Sequence, residues 1–266
     1  MKNKKISSSV IRKVLLMLFV LALLAVEIAF RVLEISAPTE LNAYNAAVRF
    51  IGGAVCIIFM YEFSFNYVLD LRGNRRRIAL LAILPAFVVA VNNFPFVSFL
   101  SGDCTIKAGT VEILVYALFC LSVGFFEELA FRGCVLMFLL RKRCETKWEI
   151  FAAIFLSSVV FGLIHLVNLF TSSPAAVLLQ IGYSALIGGL CSLVLLTTGN
   201  IWVCVALHSI YNFAGGIVPE FGSGAIWTAP EVTLTAVLAI IVTVYSVWLF
   251  IKLPVSRAKE LYKNEK

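Results

Sequence analysis

Charged residues are scarce in this chain. Asp, Glu, Lys and Arg make up 14% of its 266 residues, against about 25% in an average soluble domain. Hydrophobic residues make up 61%, and the mean hydropathy is +0.99. This composition excludes an ordinary soluble globule and predicts a polytopic membrane protein. No nucleic-acid-binding motif is present, so the net charge of +7 is better explained by membrane topology than by a nucleic-acid partner.

Paired cysteine motifs are also missing. The chain has seven cysteines but no CxxC, and most of them fall inside apolar runs. A disulfide framework or a cysteine-based zinc site is therefore not expected. Cysteine within a membrane span usually behaves as a small, buried apolar residue.

Long apolar runs are what the chain does have. A spanning helix needs about 20 mostly apolar residues, which predicts an all-α membrane helix bundle of about eight transmembrane helices. The first run continues past Glu27 without a convincing cleavage site, so we expect it to be retained rather than removed as a signal peptide. The fourth is too long for a simple span and is expected to tilt, break or emerge from the bilayer. The predicted spans are 12–34, 45–69, 78–100, 111–140, 148–170, 175–197, 200–218 and 232–252.

Basic residues are distributed unevenly between the predicted loops. Most of them cluster in four places that an eight-span layout puts on one side, whereas the opposite loops hold only Lys107. Because cytoplasmic loops are enriched in Lys and Arg, both termini are predicted to be cytoplasmic in a multi-pass cell-membrane protein. We expect 1–266 to form a single membrane domain with a polar tail at 253–266. The basic clusters lie within 2–13, 72–77, 141–147 and 252–266.

Three charged residues interrupt the fourth run, in the stretch GFFEELAFRGC. An ionisable side chain at the bilayer centre costs about 2.5–3.5 kcal/mol on insertion scales, so it is a functional candidate by default. Glu128 and Arg132 are spaced i, i+4 and can pair on one face, whereas Glu127 points about 100° away. A structural ion pair would need only one glutamate. By contrast, Arg31 and Arg49 lie near predicted span ends, where a long basic side chain can reach the interface.

Histidine is rare in this sequence. The chain has only two histidines, and both fall within predicted spans. His165 lies in the fifth span, and His208 lies in the seventh with Asn212 at i+4. A lone histidine in an apolar run is more often a hydrogen-bonded core residue than a catalyst. Together with the glutamates, however, two imidazoles and an amide make a hydrolytic set. Carboxylate and imidazole can activate water directly or through a metal, and imidazole and amide N–H groups can stabilise an oxyanion.

Three motifs in order strengthen this hypothesis. Their pattern is EExxxR, FxxxH and HxxxN on separate helices, and it resembles that of the intramembrane proteases related to the CAAX prenyl endopeptidase, also called the CPBP or Abi family. The match covers roughly 120–215, with catalytic core helices at 111–218. In this chain the motifs are EELAFR at 127–132, FGLIH at 161–165 and HSIYN at 208–212.

The resemblance implies an eight-helix core that opens toward the cytoplasm and cleaves peptide bonds in the membrane. By that resemblance, Glu127 and His165 activate water, while His208 and Asn212 stabilise the oxyanion. The remaining motif charges, Glu128 and Arg132, support the site or contact substrate. A divalent metal such as zinc stays open, because Glu127, His165 and His208 are plausible ligands, although the HExxH helix of the usual zinc proteases is absent.

Two other readings of the same residues stay open. The chain could be a non-catalytic scaffold or a bacteriocin self-immunity factor that retains the motifs. It could also be a small transporter or proton relay, since intramembrane Glu and His mark ion paths, although no inverted repeat is visible. The favoured prediction is an endopeptidase acting on a membrane-associated protein or peptide, with the lipid bilayer as its surroundings.

Overall fold

The computed structural model describes residues 38–71 and 77–261, together with Leu18, Ala22, Ala25, Val26 and Ala29, which are helical. In these parts the chain is almost entirely helical. The long helices are α1 (Pro38–Glu62), α2 (Arg77–Asn92), α4 (Thr110–Glu128), α6 (Lys147–Leu163), α7 (Pro174–Thr198), α8 (Ile201–Phe221) and α9 (Ala229–Lys252). The shorter helices are α3 (Phe96–Leu100), α5 (Met137–Lys142) and α10 (Ser256–Glu260), and the two strands are β1 (Cys104–Ile106) and β2 (Gly222–Gly224).

Three helical segments depart from α geometry. A π-helical segment, Leu129–Leu136, joins α4 to α5, so that the fourth predicted span is one continuous 33-residue helix. A 3-10 segment, Ile164–Phe170, extends α6, and another, Asn66–Leu69, follows α1. The fourth predicted span is therefore one unbroken helix that contains a locally widened turn.

The multi-pass prediction is confirmed, although the count of eight is not. Six helices among the described residues are long and apolar enough to cross a membrane: Thr39–Glu62, Thr110–Lys142, Lys147–Phe170, Pro174–Thr198, Ile201–Phe221 and Ala229–Lys252. The third predicted span is a shorter apolar helix, Ala79–Asn92, and the chain turns before α3. The first predicted span, 12–34, lies outside the continuously described residues. The helix of the second predicted span begins at Pro38 rather than at 45, which changes the position of Arg49 along that helix.

Local sequence signals explain where the helices begin and end. The Thr146 hydroxyl accepts a hydrogen bond from the Glu149 N–H, and the Glu149 carboxylate accepts one from the Thr146 N–H, which forms a capping box at the start of α6. Helix α7 ends at Gly199, whose φ of 64° is the left-handed conformation that glycine favours. Asn200 then caps α8 by accepting from the Trp202 N–H at 2.8 Å.

The long helices run alternately between two ends of the bundle. At one end, which we call the hairpin end, β1 and β2 pair antiparallel with Thr105 opposite Ser223. Near them, the Glu231 carboxylate at the start of α9 accepts hydrogen bonds from the backbone N–H groups of Val97 and Ser98. The hairpin end comprises 38–45, 93–112, 164–176 and 219–231.

The opposite end, which we call the basic end, carries the predicted cluster at 141–147 and the described part of the one at 252–266. Here the Trp202 indole donates to the Leu69 carbonyl at 2.7 Å, and Arg257 donates to the Thr197 carbonyl at 2.7 Å. The tail was predicted to be polar, but its described part packs against the bundle, with Ala258 and Leu261 buried. The basic end comprises 62–71, 77–79, 141–149, 196–203 and 250–261.

Candidate active site

A close approach of α4 and α8 places the glutamate pair beside His208. A Cβ atom at Gly124 would lie 2.5 Å from the Ser209 hydroxyl oxygen and 2.8 Å from the Val205 carbonyl oxygen. Only glycine therefore lets the two backbones come this close. One helical turn later along α4, the two carboxylates reach the His208 imidazole.

Glu128 lies at the centre of a fully buried charge cluster. Its Oε1 is 2.7 Å from Nδ1 of His208 and 3.0 Å from Nη1 of Arg132. The predicted i, i+4 pair of Glu128 and Arg132 is thus confirmed. Both side chains are essentially inaccessible, at 0% and 1% exposed. Since a carboxylate oxygen accepts hydrogen bonds, Nδ1 of His208 is the donor in this contact, and the other ring nitrogen, Nε2, is directed toward Glu127.

Glu127 faces a different partner. Its Oε1 is 3.0 Å from Nη1 of Arg49, and its Oε2 is 3.6 Å from Nε2 of His208. The interpretation of Arg49 as an interfacial residue is therefore wrong. Because α1 begins at Pro38, Arg49 lies in the middle of its helix rather than at its start. The Pro-Thr-Glu sequence at 38–40 is a helix-start signal that could have placed it correctly.

The phenylalanine of the FxxxH motif holds the cluster together. Phe161 is 1% exposed, and its ring centroid lies 4.5 Å from the Arg132 guanidinium carbon, which is within cation–π range. The same ring meets the imidazoles of His165 and His208 edge-on, at centroid distances of 5.3 and 5.8 Å. The sequence motif therefore joins three helices through one aromatic ring, a role that its spacing alone did not reveal.

His165 and Asn212 are less tightly held than His208. His165 is half-buried, and its Nδ1 lies 3.0 Å from the Phe161 carbonyl oxygen. In the neutral ring Nδ1 then donates to that carbonyl, which leaves Nε2 as an acceptor. Asn212 follows His208 by one turn of α8 and lines the same cavity as both histidines.

This cavity has a volume of about 600 Å³ and brings together most of the predicted site. Glu127, His165, His208 and Asn212 line it, and so does Arg49. Glu128 and Arg132 lie behind the wall, in contact with His208 and Phe161. Its apolar wall is rich in aromatic rings, namely Tyr116, Phe119, Phe126, Phe131, Phe161, Phe170, Tyr183, Tyr211 and Trp227.

The candidate metal ligands are not gathered into a metal site in this arrangement. Among the described residues, no group of three or more His, Cys, Asp or Glu side chains is placed to hold an ion. One oxygen of Glu127 faces the Arg49 guanidinium at 3.0 Å, a cation that a metal would have to displace. His208 is held through Nδ1 by Glu128, so only its Nε2 faces the cavity wall.

Comparison with known proteins agrees with the motifs. Residues 109–214 match the family model described as type II CAAX prenyl endopeptidase Rce1-like. No curated protein and no solved structure matches the chain. The matched segment contains α4, the π-helical segment and α5 to α7 and most of α8, and so it holds all three motifs. The resemblance to the CAAX-protease family that the motifs predict is therefore confirmed for residues 109–214.

Proposed function

We propose that this chain is an intramembrane endopeptidase that hydrolyses a peptide bond of a membrane-associated protein or peptide by attack of an activated water. The family match supports a peptidase. The observation that carries the proposal is the placement of Glu127, His165, His208 and Asn212 around one cavity. A polar floor within an aromatic cavity suits a peptide group flanked by apolar side chains.

In this proposal Glu127 is the general base. Arg49 holds one carboxylate oxygen, Oε1, and leaves Oε2 as the proton acceptor. The guanidinium also supplies the opposite charge beside a carboxylate that is to accept a proton. His165 assists through Nε2, the nitrogen that the hydrogen bond at Nδ1 leaves as an acceptor. A water hydrogen-bonded to both groups would be oriented toward the scissile carbonyl.

His208 and Asn212 act on the oxygen of that carbonyl. When both ring nitrogens carry protons, His208 donates through Nδ1 to Glu128 and presents Nε2–H to the cavity. The Asn212 amide, one turn away, supplies a second donor. Two preorganised donors in a water-poor site stabilise the negative charge of a tetrahedral intermediate. Glu128 and Arg132 do not touch substrate in this scheme, and they position His208.

Catalysis is tested with the purified full-length protein in liposomes and a library of fluorogenic peptides. General-base catalysis contributes about 10²–10⁴-fold, so Glu127→Gln and His165→Ala are each expected to lose at least 100-fold in kcat/KM. Glu40→Gln is the matched control, because that carboxylate is exposed and does not line the cavity. Equal cleavage by wild type and both site variants would overturn the proposal.

Metal dependence is tested in the same assay. Because the Arg49 guanidinium already neutralises one oxygen of the Glu127 carboxylate, we propose that cleavage does not need a divalent metal. Dialysis against a strong chelator is then expected to leave the rate unchanged. Loss of activity on chelation, with recovery on adding zinc alone, would contradict the metal-free form of the mechanism and leave the peptidase assignment standing.

A further inference from the structure

The cavity occupies only one half of the bundle. Along α8 the lining residues run from His208 toward the hairpin end, and the basic-end turns of that helix contribute none. Along α7 they come from Leu179–Ile187, the half nearer the hairpin end, and along α6 they begin at Phe161. Apart from Phe131, which lies one turn beyond the glutamates, the lining side chains thus come from the portion of each helix between the glutamates and the hairpin end.

The other half of the bundle is closed. Between the glutamates and the basic end, the side chains that face the interior are fully buried and in mutual contact. A close-packed interior of this kind leaves no room for a polypeptide to pass. The residues that fill it include Leu129, Leu136, Met137, Leu140, Leu195 and Ile201.

Exposed lining residues show where the cavity meets its surroundings. Phe170 and Leu179 are 77% and 71% exposed, and Trp227 is 63% exposed. Each belongs to the hairpin end or the first turns next to it. The mouth of the cavity therefore lies at the hairpin end, among apolar side chains at bilayer or interfacial depth, where aromatic residues are typical.

The hairpin end and the basic end also differ in the charge of their side chains. Among the described residues, the hairpin end carries Glu40, Asp103, Glu112, Glu220 and Glu231 but only one basic residue, Lys107. Among the residues whose side chains the structure describes, the opposite end carries seven basic ones, namely Arg141, Lys142, Arg143, Lys147, Lys252, Arg257 and Lys259. Since Lys and Arg are retained on the cytoplasmic side, this asymmetry places the basic end in the cytoplasm and the mouth on the far side of the membrane.

We propose that the site is entered from the extracytoplasmic leaflet. Its substrates are then exported or membrane-anchored polypeptides that present the scissile bond on that side, with apolar or aromatic neighbours that fit the cavity wall. This inference rests on the proposed peptidase function and adds the side from which substrate arrives. It reverses the cytoplasmic opening that the family resemblance implies, because the chain's own loops set its orientation.

The side of the mouth is tested without any activity measurement. Ser172→Cys lies in the exposed loop beside the mouth, and Glu145→Cys lies in the exposed loop at the basic end. Both are treated with a membrane-impermeant maleimide in intact cells, with wild type as the background for the native cysteines. We expect Ser172→Cys to be labelled at once and Glu145→Cys only after permeabilisation. The reverse pattern would overturn the proposal.

A second measurement separates this inference from the function on which it rests. Sealed vesicles of both orientations receive an impermeant peptide substrate on the outside, with Glu127→Gln as the inactive control. Vesicles that keep the basic end inside are expected to cleave at least tenfold faster than inverted ones. Faster cleavage by the inverted vesicles would contradict the proposed side and support the peptidase. Absence of cleavage in both, with the expected labelling, would contradict the peptidase and leave the side of the mouth established.

Discussion

The two halves of the helix bundle differ in how they treat buried charge. In the closed half, next to the basic end, Glu128 and Arg132 are sealed from solvent and surrounded by close-packed side chains. In the hollow half, Glu127 and Arg49 form a similar pair at 3.0 Å, but their side chains are 14% and 12% exposed to the cavity. Neighbouring glutamates on one helix thus have different surroundings, since Glu128 contacts His208 inside the packed interior and Glu127 faces the cavity.

This difference shows that an ion pair within the membrane does not by itself indicate a catalytic site. A sealed pair gains from mutual attraction but has paid a large desolvation cost. Such a pair fixes the relative positions of the helices and side chains that it joins. A pair on a cavity wall can exchange its partner or its proton with a ligand, because the wall remains accessible.

The largest expected effect comes from breaking the sealed pair. Arg132→Met leaves the Glu128 carboxylate buried without its cation, which costs about 3–5 kcal/mol of stability for pairs of this kind. Arg49→Met is the matched change in the hollow half, and its stability cost is expected to be clearly smaller because water in the cavity can solvate Glu127. Thermal unfolding in detergent measures both. Equal losses of stability would remove the distinction between the two halves.

A smaller effect is expected from the helix contact that positions both glutamates. In Gly124→Ala the new methyl group would lie 2.8 Å from the Val205 carbonyl oxygen, and overpacking of this kind costs about 1–3 kcal/mol. Because α4 and α8 must separate, cleavage should fall by about 100-fold, as it does for misplacements near 1 Å. Unfolding temperature and kcat/KM are measured together.

Gly182→Ala is the control for that change. Gly182 is also a helical glycine, in α7, but a Cβ atom there would have no neighbour within 4 Å. Alanine favours helix over glycine by about 1 kcal/mol, so this variant should be as stable as wild type or slightly more so. A similar loss of activity in both variants would show that the α4–α8 contact is not what positions the site.

The smallest effect is expected outside the membrane, at the basic end. Lys259 donates to Glu145, and this hydrogen bond raises the pKa of the Lys259 ammonium above its usual value. The contribution is therefore complete below the ordinary lysine pKa and is lost as the pH rises through the raised one. Since the pair is exposed, Lys259→Gln should barely change the unfolding temperature at pH 7. A change as large as that of Gly124→Ala would show that the docked tail is more important to the bundle than its exposure suggests.

The sequence predicted the polar residues of the site better than it predicted their partners. The three motifs named Glu127, Glu128, His165, His208 and Asn212, and the structure places all of them at or directly behind one cavity wall. Local spacing was enough to predict the ion pair of Glu128 and Arg132, because residues four apart share a helix face. It could not find Arg49, which reaches Glu127 from 78 positions away. The predicted start of α1 was seven residues too late, and this error made Arg49 look like a residue at the end of a span.

Composition and local pattern by themselves determined the membrane class, most of the long helices and the polar residues that the cavity brings together. These follow from short-range physics, since apolar length and helix periodicity are properties of neighbouring residues. Only the tertiary structure decided that Arg49 belongs to the site, that Phe161 joins the motifs, and that the cavity lies in the half away from the basic loops. Each of these depends on which helices pack together and at what depth, and that choice is made by contacts between residues far apart in the chain.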